Sequence, residues 1–288
     1  MIRECKLYKK EREKKVRCLA CSHKCLIDNG KTGICGVREN SEGKLYLLVY
    51  GKIASMHVDP IEKKPLYRYL PGSYSFSIGT VGCNFSCEFC QNFEISQVSK
   101  KGILFGGEYA PEEIVDEAIK SKCKSISYTY NEPTIFIEFV KDCATIARKK
   151  GLKNILVTNG FMSKEGFDFI NKDIDAANID LKSFNPEYYK KYCNGRLKPV
   201  LDTIKRFSEK KIHIEITTLV VSGLNDSIKE LEKIAKFIAS IDKTIPWHIT
   251  RFFPMYKMID APVTSIKTLE NAYKIGKKYL DYVYMGNV

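Results

Sequence analysis

The chain has 288 residues, 47 Lys and Arg against 34 Asp and Glu, a formal charge of +13, and 11 cysteines. Its length gives room for a real core in one large domain or two small ones, and a composition 44% hydrophobic and 28% charged excludes a disordered or fibrous chain. The odd cysteine number excludes complete intramolecular pairing, and a chain this long and apolar does not need a disulfide scaffold.

Segment 1–18, MIRECKLYKKEREKKVRC, is charged throughout and is not read as a secretory signal. Residues 1–72 hold a first cysteine group, Cys18, Cys21, Cys25 and Cys35, then an apolar β-type run at 44–50. They read as a small Cys-rich, β-containing extension, bounded at the Pro71-Gly72 turn. The longest uncharged run, 69–87, is broken by Pro71, Gly72, Gly79 and Gly82, so no membrane span is expected. A cytoplasmic setting follows, where clustered cysteines point to metal ligands or catalytic groups.

From 73 to 288 short apolar runs alternate with amphipathic ones. Strands are predicted at 75–79, 125–130, 154–158, 177–181, 213–221 and 247–253, with a final one at 282–285. Helices are predicted at 111–121 with Pro111 in the first turn, and at 134–150, closed by Gly151. Further helices are predicted at 163–171 with Ser163 as N-cap, at 227–240 and at 264–279. This rhythm implies an α/β fold with a parallel sheet and right-handed crossovers. Six or so repeats predict a partial (β/α)6 TIM-like barrel.

Directly after the first of these strands stands Cys83-x3-Cys87-x2-Cys90. Three thiolates on one loop can hold three corners of a cubane iron–sulfur cluster and leave the fourth iron open to a substrate. Zinc patterns instead pair two Cys-x2-Cys knuckles, or one with histidines. Cys5, Cys123, Cys143 and Cys193 stand apart and read as ordinary thiols.

The segment Gly82-Cys83-Asn84-Phe85-Ser86-Cys87-Glu88-Phe89-Cys90-Gln91-Asn92 resembles the radical S-adenosylmethionine (SAM) signature, with Phe89 as its aromatic residue. The resemblance implies a [4Fe–4S] cluster on Cys83, Cys87 and Cys90. It also implies reductive cleavage of SAM to a 5′-deoxyadenosyl radical that abstracts hydrogen. Three tripeptides fall, in order, where barrel strands end. Asn131-Glu132-Pro133 is similar to the family's Gly-Glu-Pro segment, whose oxygens receive the SAM ammonium, although Asn replaces the commoner Gly. Thr158-Asn159-Gly160 and Asp180-Leu181-Lys182 are similar to segments of the glycyl-radical-activating enzymes. Carried over, Lys182 pairs with the SAM carboxylate and Asp180 with the ribose hydroxyls, while Phe89, Asn131, Glu132, Thr158 and Asn159 complete the contacts.

A closer resemblance spans nearly the whole chain, through the first cysteine group, Cys90–Gln97, Thr217–Val220, Gly223–Asp226 and Trp247–Pro254. It is to the AmmeMemoRadiSam-system radical SAM proteins, a group similar to pyruvate formate-lyase activating enzyme. Members of that group continue into a Cys-containing tail, a knuckle that this sequence, ending at Val288, is expected to lack. The resemblance implies a ferredoxin- or flavodoxin-type reductant, an anaerobic setting, and a protein substrate or a Memo-type system partner, with other peptides or small molecules left open. In number, the first cysteine group suits a zinc ion or an auxiliary cluster equally, with His23 able to replace one thiol; a site without metal also stays open.

Tyr130, His248 and Arg251 lie near predicted strand ends and are candidate catalytic residues; each equally suits barrel packing or an ion pair. The charge of +13 also suits a metal-stapled nucleic-acid-binding protein. The lysines, however, are spread along the chain and no nucleic-acid motif accompanies them, so nucleic acid is not the expected partner.

Overall fold

The alternation of apolar and amphipathic runs is realised as one large sheet. The computed structural model describes residues 1–288. Eight strands form the sheet: β1 (Ser55–Pro60), β2 (Tyr74–Gly79), β3 (Ser125–Tyr128), β4 (Lys153–Thr158), β5 (Ala176–Asp180), β6 (His213–Val220), β7 (Trp247–Arg251) and β8 (Val283–Gly286). Spatial order follows chain order, and β1 and β8 are the two free edges. Strands β2 to β8 pair in parallel, whereas β1 runs antiparallel to β2. The parallel strands are nearly continuous runs of buried residues, such as Ser-Ile-Ser-Tyr in β3, because both faces of the sheet are covered.

The covering helices are α1 (Pro111–Lys120), α2 (Ile137–Lys149), α3 (Lys164–Ile170), α4 (Leu197–Glu209), α5 (Ile228–Ile241) and α6 (Ile266–Gly276). Pro111 opens α1, and the Ser163 hydroxyl accepts the Gly166 N–H at 2.8 Å to cap α3. No helix is long and apolar enough to cross a membrane.

Residues before β1 form two small three-stranded antiparallel sheets. Val16, Leu45 and Val49 belong to the same apolar core as the barrel strands. Arg38 fixes the contact: its guanidinium is buried against the Glu138 carboxylate of α2 and donates to the Ile135 carbonyl at 2.9 Å. Gly82, after β2, has φ +99°, and a Cβ there would meet Val37 at 2.8 Å and the Cys35 carbonyl at 3.0 Å. Only glycine lets the N-terminal segment come this close.

The chain between β1 and β2 is threaded beneath the sheet. The N–H groups of Tyr67 and Arg68 donate to the two oxygens of Glu215 at 3.0 and 2.8 Å. His248 and His213 meet the same carboxylate at 2.6 and 3.1 Å, and Tyr67 packs against the rings of His248 and Tyr284, each at 4.8 Å. Burial alone would raise the Glu215 pKa; the histidines and the two N–H groups outweigh it and hold the pKa at about 2, against an ordinary 4.5.

A depressed folded-state pKa contributes stability above pH 4.5 that fades as pH falls toward 2. The contribution is worth about 3 kcal/mol at neutral pH. Glu215→Gln is expected to lose about this much in urea unfolding at pH 7, and far less at pH 2. Equal losses at both pH values would show that the charge of Glu215 does not hold the 61–70 segment.

Candidate active site at the strand ends

The cysteine loop is built against a short helical turn of the π type, Tyr189–Cys193. Ser86 and Glu88 donate their N–H groups to the carbonyls of Cys193 and Tyr192 at 2.9 and 3.0 Å. Phe85 is buried against Phe161 and Tyr189, with ring centroids 5.0 and 6.2 Å away. These contacts leave Cys83, Cys87 and Cys90 on the wall of one cavity of about 540 Å³. The Phe85 N–H reaches Cys83 Sγ at 3.4 Å, and Ser96 Oγ lies 3.1 Å from Cys90 Sγ. Burial pushes the Cys83 and Cys90 thiols up; a hydrogen bond with Cys193, then burial, does so at Cys87.

Phe89, Tyr130, Asn131, Thr158, Asn159, Asp180 and Lys182 line the same cavity. Lys182 Nζ lies 2.7 Å from Asp180 Oδ2. Burial alone would lower the Lys182 pKa, but the Asp180 carboxylate raises it well above the ordinary range. Asn131 Nδ2 is spent on Thr80 Oγ1 and the Gly82 carbonyl at 3.0 and 2.8 Å, so it ties the end of β3 to the cysteine loop.

Three expected residues sit elsewhere. Glu132 is fully buried behind the cavity wall. Its Oε1 accepts from the Thr134 N–H and hydroxyl at 3.0 and 2.5 Å and from the Thr158 hydroxyl at 2.8 Å; its Oε2 accepts the Asn159 N–H at 2.7 Å. These internal donors occupy the carboxylate. His248 belongs to the Glu215 cluster beneath the cavity. Arg251 donates Nε to the Thr264 carbonyl at 2.7 Å, while its neighbour Thr250 faces the cavity, because successive strand residues point to opposite faces.

The sequence reading missed the residues that β1 and the following turn bring to the cavity: His57, Asp59, Lys63 and Lys64. Period-two placement of His57 and Asp59 was the one available signal, in a run too short to stand out. Asn92, Thr250 and Asn287 were also missed.

Cys18, Cys21, Cys25 and Cys35 surround a second, small cavity of about 10 Å³ together with His23, Arg38 and Asn84. His23 Nε2 lies 2.8 Å from the carbonyl of Asn84, the neighbour of Cys83. Burial pushes the thiols of Cys21, Cys25 and Cys35 up. As the side chains stand, no three His, Cys, Asp or Glu groups in the chain are gathered closely enough to hold a metal ion.

Comparison with known proteins bears on this arrangement. An uncharacterised protein of Methanocaldococcus jannaschii is 44% identical across the whole chain and 86% of its own length. Another protein of that organism, named a glycyl-radical enzyme activating enzyme, is 28% identical over 76% of this chain and 83% of its own length. In fold, the chain is similar to Streptococcus suis SuiB bound to its precursor peptide SuiA, with a TM-score of 0.56 at 14% identity, over 72% of this chain and 46% of that one. The radical SAM superfamily pattern matches residues 77–238, from the end of β2 through the cysteine loop into α5. With a partial parallel barrel, the cysteine loop at its first parallel strand and activating enzymes among its relatives, the chain belongs to the radical SAM superfamily of enzymes.

Proposed function

We propose that Cys83, Cys87 and Cys90 hold a [4Fe–4S] cluster and that the adjoining cavity holds SAM, for hydrogen abstraction from a protein, peptide or small-molecule substrate. The observation that carries this reading is the shared cavity: the three thiols of one loop and the Asp180–Lys182 pair open onto the same space. The donor set fits the group, since three soft sulfurs on one loop match three iron corners. When bound, cluster and SAM together supply an electron and a 5′-deoxyadenosyl radical. Lys182 offers ammonium donors to a carboxylate, and Asp180 fixes its orientation. Asn159 projects from the end of β4 onto Asn84 Oδ1 at 2.7 Å and holds the loop in register with the barrel. Glu132 acts through Thr158 and Asn159 as a positioning residue.

The name of the 28% identical relative favours a protein substrate of the glycyl-radical type. A ferredoxin- or flavodoxin-type reductant in an anaerobic cytoplasm completes the proposal. Residues 1–72 are the N-terminal segment, of which β1 joins the barrel sheet, and its four cysteines hold a single zinc ion rather than an auxiliary cluster. Four sulfurs around one small cavity suit a tetrahedral ion.

Two measurements test these assignments. Anaerobically reconstituted protein given dithionite and SAM is expected to form 5′-deoxyadenosine, and the Cys83/Cys87/Cys90 triple Ala variant to form none above background. Equal product from both would remove the cluster assignment. Metal analysis of the triple variant, purified in air, is expected to find about one zinc per chain and no iron. Iron retained with a cluster absorption band would replace the zinc ion with an auxiliary cluster.

A further inference from the structure

The cavity has a second charged wall, on β1 and the turn after it. Asp59 is buried and accepts three donors: Lys64 Nζ at 2.6 Å, the Tyr130 hydroxyl at 2.8 Å and Lys63 Nζ at 3.1 Å. Two ammonium groups therefore share one carboxylate, and His57, Asp59, Lys63 and Lys64 all face the cavity. At Lys182, by contrast, one ammonium meets one carboxylate. The cavity's uncompensated positive charge thus lies on the β1 side.

The donors are in surplus as well. Lys64 is 3% exposed, and an ammonium carries three N–H donors. One is spent on Asp59, and the Tyr130 ring lies 4.7 Å from the nitrogen; no other acceptor in the chain receives it. Buried donors seek partners, and a buried cation without full compensation is costly. The Tyr130 hydroxyl has one proton and gives it to Asp59, so the 3.1 Å contact with His57 is donated by His57 Nδ1. That leaves Nε2 of this exposed ring an acceptor, so the donors of this wall are the two ammonium groups.

Tyr130 ties this wall to the chemistry. It holds φ +67°, a strained value for a residue with a side chain. Its carbonyl accepts from Asn92 Nδ2 at 2.7 Å, two residues beyond Cys90, while its hydroxyl reaches Asp59. The cysteine loop, the Asp180–Lys182 pair and the β1 wall line one cavity of about 540 Å³, within the size range of small-molecule pockets.

We infer that Lys63 and Lys64 form an anion subsite that holds a phosphate or carboxylate group of the substrate. The site lies at the free β1 edge, four strands from the Asp180–Lys182 pair. The inference deepens the proposed function, since it takes the SAM cavity to be the substrate cavity.

Calorimetric titration of the reconstituted, SAM-saturated full chain tests it, with inorganic phosphate and malonate as separate probes; the tighter of the two tells phosphate from carboxylate recognition. Saturable one-site binding is expected for at least one probe. Lys63→Glu, at an exposed position, and Lys64→Met are each expected to weaken it about tenfold or more, with SAM affinity changed less than about twofold. Absence of saturable binding for both probes overturns the inference. So does binding unchanged in both variants, and so does a loss of SAM affinity in place of anion affinity. If Lys64→Met fails to fold, Lys63→Glu decides. Failure of the wild type to cleave SAM, with anion binding intact and sensitive to Lys63→Glu, would strike the proposed function and leave the anion subsite standing.

Discussion

The site depends on the four hydrogen bonds that converge on the buried carboxylate of Glu132. Burial raises its pKa, and the four donors pull against that rise. In return the carboxylate locks the end of β3 to the end of β4. Through it Thr158 and Asn159 are held at fixed depth, Asn159 Nδ2 meets Asn84 Oδ1, and the cysteine loop takes its position over the barrel. The charged group of the Asn-Glu-Pro segment thus does structural work, while its neighbour Asn131 lines the cavity. A buried acceptor with every donor satisfied is hard to displace, because loosening it leaves two backbone N–H groups and two hydroxyls unpaired.

A second dependence runs from the N-terminal segment. Its cysteine quartet lies one residue from the loop, through the contact of His23 with the Asn84 carbonyl and the close approach that Gly82 permits. The Arg38–Glu138 pair and the shared apolar core leave little freedom between the two. Strand β1 and the 61–70 segment go further and become part of the sheet and its underside. A change at the quartet would therefore be felt at Cys83.

How much of this was legible depended on where the information lies. The parallel strands were readable because burial on both faces writes itself as short apolar runs, and the helix starts because Pro111 and Ser163 are local signals. The final strand at Val283–Gly286 was anticipated for the same reason. The cysteine loop was readable because its ligand types and spacing are contiguous. Strand-end position, however, says nothing of which face a side chain takes or what already occupies it. Glu132, His248 and Arg251 were therefore placed by proximity, and internal partners claim each of them. The cationic wall was illegible for another reason. Its residues come from an antiparallel strand outside the β-α rhythm, and they meet Tyr130 only after some seventy residues of chain have folded back.

The open sheet also shapes what can enter. A closed barrel has no edges, but here β1 and β8 remain unpaired with each other. The 61–70 segment crosses beneath the sheet, pinned on Glu215 and packed against Tyr284 of β8 and Tyr282 just before it. The lower part of the gap is thereby filled, and the cavity keeps the upper part, with His57 and Lys63 on one lip and Asn287 on the other. On the inferred anion subsite, a substrate arriving between these edges would meet the cationic lip as well as the cysteine loop. Charge would orient it, and the strand ends would hold it. Selection of a substrate would then rest on the β1 lip, and the proposed radical chemistry on the Cys83–Cys90 loop.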